Sequence, residues 1–167
     1  MPPRARPPGP LTWKELREQL NYNKKTGWLT WKVCKPRIRP GMRAGCEHVS
    51  GHREITICGE VWREHRLIWF WVTGQDPGER YIDHRNRVGN DNRWRNLRKA
   101  THGQNYVNSE HGGLMRGIHQ RGPCHFRVRS HVNGKRASFT TRTLTAAVRL
   151  RRKLERQEWG EFACTRR

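Results

Sequence analysis

The segment from Tyr81 to Asn108 (YIDHRNRVGNDNRWRNLRKATHGQNYVN) constrains the fold of this chain more than any other segment. Its first two residues are β-prone, whereas Gly89 to Asn92 has the composition of a loop. Thr101 followed by Gln104 forms a capping-box pattern, which predicts that a helix begins just after this threonine. The segment is therefore predicted to run in the order strand, loop, short strand and helix.

Four polar side chains in this segment suit metal-assisted hydrolysis of a phosphodiester. A hard divalent cation such as Mg²⁺ or Mn²⁺ prefers oxygen ligands, which Asp83 and the side-chain carbonyl of Asn105 supply. His84 titrates near neutral pH, so its imidazole can take a proton from an attacking water. Asn96 is the candidate for holding that imidazole in its reactive orientation. The predicted order of elements would bring the Asp, the His and the helical Asn together at one site.

This Asp-His, Asn, Asn pattern resembles the HNH nuclease motif, in the His-Asn-Asn form of phage and intron homing endonucleases. The resemblance implies a ββα-metal fold, a hairpin and a helix around one divalent cation. It implies that Asp83 and Asn105 bind that cation and that His84 is the general base. It also implies that Asn96 orients His84.

The residue at position 105 bears on the identity of the metal. Colicin-type HNH nucleases have a histidine where Asn105 stands, and they bind transition metals such as zinc more readily. The asparagine therefore favours Mg²⁺ or Mn²⁺. His102 and His111 lie near enough in the sequence to leave that choice open.

The net charge of the chain independently indicates a polyanionic partner. Lysine and arginine total 35 against 14 acidic residues, which gives a formal charge of +21 on 167 residues. Such a charge on a chain of one or two domains points most simply to nucleic acid, and double-stranded DNA is the partner we expect. The longest apolar run, Leu67 to Val72, is far shorter than the roughly 20 residues that span a bilayer, so no membrane partner is expected.

The residues before the motif predict a supporting set of helices and strands. Thr12 begins a second capping box and a short amphipathic helix, and residues 53–63 alternate polar with apolar in a hairpin pattern. The apolar run that follows is predicted to form a helix that ends at Gly74. His65 is expected to be a structural residue, hydrogen-bonded at the start of this helix. Arg66 is expected either to contact phosphate or to pair with an acid.

Residues 117–163 are predicted to form a separate unit of three strands and one helix. Asn133-Gly134 is a strong hairpin signal, and the helix is expected from about Thr145. Strand alternation places Phe126, Val128, Ala137 and Phe139 towards the helix and a row of arginines on the outer face. A ribbon of strands fits the DNA major groove, where arginine bonds the O6 and N7 of guanine. The predicted DNA-binding residues of the whole chain are Arg127, Arg129, Arg136, Lys135, Arg121 and Arg66.

This unit resembles the AP2 domain attached to many phage HNH homing endonucleases. The matching stretches are GIHQ, FRVRSHVNGKRASFTT, the helix start Ala146-Ala147 and the closing GEFA. The tryptophan usual in the second strand of that domain is Phe126 here. Upstream, the stretches TGWLTWK and EHRLIW resemble the N-terminal half of phage HNH homing proteins.

The sequence therefore predicts an α+β chain that combines a ββα-metal nuclease module with a small three-stranded antiparallel sheet and its helix. Residues 1–10 are expected to form a flexible basic, proline-rich tail, and 11–110 the nuclease domain. Residues 111–116 are expected to be a linker, and 117–163 the AP2-like domain. The N-terminal residues lack the apolar stretch of a secretory signal.

The expected activity is metal-dependent, site-preferring cleavage of DNA that leaves a 5′-phosphate and a 3′-hydroxyl, by nicking. We expect a phage-encoded monomer in the cytoplasm of a bacterial host, with no small-molecule cofactor besides the cation. Two alternatives remain at this stage. One is a non-catalytic AP2-type DNA-binding regulator with a structural HNH module, and the other is binding or cleavage of RNA.

Overall fold

The computed structural model describes residues 11–108 and 117–163. Within these residues the fold is α+β, with four α-helices and ten short strands in four small sheets. The predicted tail (1–10), the predicted linker (111–116) and His111 lie outside the described residues. The contacts divide the chain into two compact units, residues 1–99 and 100–167. This division falls between Lys99 and Ala100, whereas the sequence predicted a nuclease domain that ends at residue 110.

The first unit contains two helices and the first seven strands. Strands β1 and β2 form one hairpin, β3, β4 and β5 form an antiparallel sheet, and β6 and β7 pair with each other. The bounds are α1 Trp13–Gln19, β1 Leu20–Asn23, β2 Trp28–Trp31, β3 Cys46–Glu47, β4 Arg53–Ile57, β5 Glu60–Arg63, α2 Glu64–Thr73, β6 Tyr81–His84 and β7 Leu97–Ala100.

Local chemistry explains where α1 and α2 begin and end. The capping box predicted at Thr12 is confirmed, because its hydroxyl accepts from the backbone N–H of Glu15 and the Glu15 carboxylate accepts from the backbone N–H of Thr12. Helix α2 stops at Gly74, which adopts φ 72° and so tolerates the left-handed turn. Both helices bury leucine or isoleucine side chains in one core with β1, β2 and β4: Leu16, Leu20, Leu29, Ile55, Ile57, Leu67 and Ile68.

The second unit contains the other two helices and the second three-stranded sheet. Its elements are α3 His102–Asn108, β8 Ile118–Gly122, β9 His125–Val132, β10 Lys135–Thr141 and α4 Leu144–Trp159. The predicted turn is confirmed, since Asn133 and Gly134 adopt φ 53° and 74° and join two antiparallel strands. Ile118, Phe126, Val128, Ala147 and Leu154 form a small core between β8, β9 and α4.

No helix in the described part of the chain is long and apolar enough to cross a membrane. The cysteines in the described residues, at positions 34, 46, 58 and 124, are free thiols.

Candidate functional site

The imidazole of His84 is buried at the end of β6 and is the first of three side chains that are linked in series by hydrogen bonds. Its Nε2 lies 2.8 Å from Oδ1 of Asn92, and Nδ2 of Asn92 donates to Oε2 of Glu64 at 2.8 Å. Because an ionised carboxylate only accepts hydrogen bonds, the Asn92 amide must present its oxygen to the histidine. Nε2 of His84 therefore carries the proton and Nδ1 carries the lone pair. The structure thus assigns the tautomer that leaves a basic nitrogen at Nδ1.

Glu64 is the last side chain of this hydrogen-bonded series. It is the first residue of α2 and is completely buried. Its carboxylate also accepts from the backbone N–H of Leu29 at 3.2 Å and lies 3.8 Å from a guanidinium nitrogen of Arg43. Burial raises the pKa of Glu64 above its ordinary value, and the hydrogen bonds from Leu29 and Asn92 oppose that rise. The same burial lowers the pKa of His84, with the Asn92 hydrogen bond acting in the opposite direction.

Asn92 is a site residue that the sequence did not single out, because it was interpreted as part of a polar loop. It is almost fully buried, and its backbone carbonyl accepts from the hydroxyl of Tyr22 at 2.9 Å. Gly27, at φ 79°, brings the turn before β2 against the same backbone, and a Cβ there would lie 2.5 Å from the nitrogen of Arg93. These contacts fix the position of the amide that orients His84.

Asn96 lies at the end of the short 3₁₀ turn before β7, and its side chain closes the loop formed by residues 85–93. Its Oδ1 accepts from the backbone N–H of Asn86 at 3.0 Å, and its Nδ2 donates to Oδ1 of Asn86 and to the carbonyl of Asp91. Its described side-chain hydrogen bonds thus go to this loop, and Asn92 makes the described contact with the imidazole. The predicted role of Asn96 in orienting His84 stays a prediction.

Asp83 lies beside His84 on β6 and pairs with Arg98 on the neighbouring strand. Nε of Arg98 donates to Oδ2 of Asp83 at 2.8 Å, and only 5% and 6% of the two side chains are exposed. No sequence pattern marks Arg98 as a site residue, since one arginine among so many carries no distinguishing signal. The carboxylate of Asp83 provides the oxygen donors that a hard cation prefers, and so it fits a Mg²⁺ or Mn²⁺ site.

Asn105, the other predicted metal ligand, lies on α3 in the second unit. The capping box predicted for this helix is confirmed, because the backbone N–H of Thr101 donates to Gln104 and the Thr101 hydroxyl accepts in return. Asn105 is therefore in the first turn of a helix, as the sequence predicted. Its position beside Asp83 stays a prediction.

Three of the arginines predicted to contact DNA, Arg127, Arg129 and Arg136, share one face of the second sheet. Opposite residues in an antiparallel pair point to the same face, and Arg129 pairs with Ser138 while Arg136 pairs with His131. Arg127 lies two residues before Arg129 and so points the same way. Lys135 pairs with Val132, which packs on the core beneath α4, so Lys135 lies on the opposite face from these arginines.

The other two predicted DNA contacts have distinct surroundings. Arg121 lies at the irregularity of β8 between Gln120 and Gly122. Arg66 donates to the carbonyls of Gly78 and Arg80 at 2.7 and 3.0 Å. Its guanidinium therefore holds the loop before β6, and contact with phosphate stays a prediction.

Asp91, in the loop formed by residues 85–93, should make the stability of the protein depend on pH below about 4. Hydrogen bonds from Arg93 lower the pKa of Asp91 from 3.8 to about 2. A carboxyl group with a depressed pKa in the folded state stabilises the protein above its unfolded pKa, and that contribution is lost as the pH falls through the folded value. The difference in free energy of unfolding between wild type and Asp91→Asn is expected to be constant above about pH 5 and to shrink towards pH 2. Urea unfolding across this range measures it, and a constant difference would contradict the assignment.

The family model described as HNH endonuclease matches residues 63–107. No curated protein and no solved structure matches the chain. The matched residues include Glu64, Asp83, His84, Asn92 and Asn96, so the segment that builds this site is similar to HNH endonucleases.

Proposed function

We propose that this protein is a metal-dependent DNA endonuclease of the HNH homing type, which nicks duplex DNA at preferred sites. The observation that carries the proposal is the imidazole of His84, whose tautomer Asn92 and Glu64 fix with the lone pair on Nδ1. This imidazole lies within the segment that is similar to HNH endonucleases. The excess of basic residues supports a nucleic acid as the substrate.

The reaction follows from these groups. Nδ1 of His84 takes a proton from a water molecule, and the oxygen of that water attacks the phosphorus in line with the departing 3′ oxygen. The bond from phosphorus to the 3′ oxygen breaks, which leaves a 5′-phosphate and a 3′ oxyanion, and the oxyanion takes a proton from solvent water to become the 3′-hydroxyl. Asp83 and Asn105 would hold one Mg²⁺ or Mn²⁺, which when bound supplies positive charge to the scissile phosphate and the departing oxygen. Arg98 holds the Asp83 carboxylate in place through the hydrogen bond from its Nε.

The second unit is proposed to be an AP2-like module that supplies DNA affinity and register. With one active site in each chain, a monomer would cut one strand. A phage-encoded protein that acts in the cytoplasm of a bacterial host is consistent with this activity.

The neighbours Arg136 and Lys135 provide a matched test of which sheet face binds DNA. Both substitutions to alanine remove one positive charge, but the two side chains lie on opposite faces. Arg136→Ala is expected to weaken duplex binding at low salt and to reduce the slope of log K against log salt concentration by about 1. Lys135→Ala is expected to change that slope less. Fluorescence anisotropy over a salt series measures both, and equal slopes for the two variants would contradict a binding site on the arginine face.

Incubation with supercoiled plasmid tests the activity itself. The full chain with Mg²⁺ or Mn²⁺ is expected to convert supercoiled plasmid to the relaxed form, and EDTA should stop the conversion. Because a preferred site can be rare, total phage and host DNA should be tested beside the plasmid. Tight DNA binding without cleavage of any of these substrates would favour the regulator instead. Competition by excess duplex RNA would show whether DNA is the true partner.

A further inference from the structure

Three histidines that are far apart in the sequence meet in the first unit. His52 directly precedes β4, His65 is the second residue of α2, and His84 ends β6. The ring centroids lie 5.2 Å apart for His52 and His65, 5.0 Å for His65 and His84, and 5.7 Å for His52 and His84. One ring nitrogen from each residue lies within 4.8 Å of those of the other two.

In two of these rings, hydrogen bonds determine which nitrogen carries the lone pair. Nδ1 of His52 lies 3.1 Å from the carbonyl of Ser50, so that nitrogen donates and Nε2 carries the lone pair. In His84, Nε2 donates to Asn92 and Nδ1 carries the lone pair. Metal-ligating histidines are commonly held in this way, with the non-ligating nitrogen donating to a carbonyl or carboxylate.

The third ring presents a polar atom that has no partner. Nδ1 of His65 is buried and makes no hydrogen bond among the described residues, and the residue is 7% exposed. The hydrogen bond expected for His65 from the sequence is therefore not observed at this atom. Native proteins rarely leave a buried polar atom unsatisfied, and coordination of a metal ion satisfies such a nitrogen.

We propose that His52, His65 and His84 form a binding site for one borderline transition-metal cation, of which Zn²⁺ is the representative. Three neutral imidazoles suit Zn²⁺, Co²⁺ or Ni²⁺, whereas Mg²⁺ prefers oxygen ligands. Two nitrogens bound to one tetrahedral zinc at about 2.0–2.1 Å lie roughly 3.3 Å apart. The ring nitrogens lie within 4.8 Å of one another, so binding one zinc requires them to approach by about 1.5 Å at most. His52 is only partly buried, so it can supply the movement and the path of entry.

This site differs in chemistry from the oxygen site proposed for Asp83 and Asn105, but it shares one imidazole with the proposed reaction. A cation on the three rings would occupy the lone pair of Nδ1 on His84. Zn²⁺ is then expected to inhibit nicking supported by Mg²⁺, a consequence that rests on the proposed function. Binding of the cation does not rest on it and can be tested without DNA.

Direct binding of Zn²⁺ and Co²⁺ to the full chain tests the site. We expect one equivalent of Zn²⁺ to bind in competition with a chromophoric chelator, in buffer that contains a phosphine reductant. Co²⁺ should give the visible absorption of a tetrahedral complex, without the thiolate charge-transfer band that the cysteines would produce. His52→Gln is expected to weaken Zn²⁺ binding at least about 100-fold, the upper end of what loss of a ligand's hydrogen-bond partner costs.

His48→Gln is the matched control, because His48 is an exposed histidine of the same loop outside the cluster. It should bind Zn²⁺ as the wild type does. Unchanged affinity in a folded His52→Gln protein, or no binding to the wild type, would overturn the proposal. If His52→Gln fails to fold, imidazole ¹H–¹⁵N spectra of the wild type decide. Zn²⁺ should then shift three of the nine histidines, and shifts confined to histidines outside the cluster would overturn the proposal.

Discussion

Replacement of His84 by alanine is expected to reduce metal-dependent nicking by about 10²–10⁴-fold, which is the usual contribution of a general base. The substitution removes the only group in the proposed reaction that takes a proton from the attacking water. It leaves the hydrogen bond between Asn92 and Glu64 in place, so the surrounding loop should keep its structure. Initial rates of conversion of supercoiled to relaxed plasmid, at saturating Mg²⁺, measure the effect.

Two controls separate this chemical effect from a general loss of function. His48→Ala changes an exposed histidine of the same unit and should nick at the wild-type rate. Duplex binding by His84→Ala in Ca²⁺ should stay within about twofold of the wild-type dissociation constant, because the imidazole is buried and contributes no charge contact with phosphate. A His84→Ala protein that keeps more than a tenth of the wild-type rate would contradict the assignment of the base.

Replacement of Glu64 by leucine is expected to destabilise the protein by about 2–5 kcal/mol. The carboxylate accepts from the backbone of Leu29 and from Asn92, and each buried donor left without a partner costs about 1–3 kcal/mol. Relief of the cost of burying the carboxylate offsets part of this loss. Glu64→Gln keeps one carbonyl acceptor and should lose roughly half as much stability. Urea unfolding followed by circular dichroism measures both changes.

The exposed residue Glu18 on α1 provides the control for this measurement. Glu18→Leu makes the same chemical change on the surface and should alter the free energy of unfolding by less than about 0.5 kcal/mol. If Glu64→Leu were no more destabilising than Glu18→Leu, the buried hydrogen bonds that link His84, Asn92 and Glu64 would not contribute to the free energy of unfolding. The nicking rate of the folded Glu64→Gln protein, compared with that of the wild type, then reports how far Glu64 positions His84.

Strand alternation predicted the second unit well, but it did not predict how far α4 extends over the sheet. Phe126 and Val128 are buried beneath the helix, as expected, whereas Phe139 remains 36% exposed. Alternation assigns a residue to a face, and the area that a helix covers depends on where it docks. Phe139 lies on β10, and the core under α4 is formed from residues of β8 and β9.

The sequence by itself determined the order of the helices and strands from Tyr81 onwards and the chemical identity of the candidate base. Capping boxes at Thr12 and Thr101 and the turn at Asn133-Gly134 act between residues at most a few positions apart, so each is legible in the sequence. The tertiary structure alone decided which side chain holds His84. Glu64 and Asn92 are 28 residues apart, and neither has a local pattern that marks it as a partner.

The cluster of His52, His65 and His84 has the same origin. These residues precede a strand, begin a helix and end another strand, and only the packing of those elements turns their rings towards one another. Burial and hydrogen-bond partners depend on which distant segments come into contact, and that depends on the sum of many weak interactions across the core. Local sequence patterns therefore predicted these helix starts and this turn and supplied the residue types of the candidate site, whereas the packing of the first unit set the tautomer of His84 and brought the three histidines together.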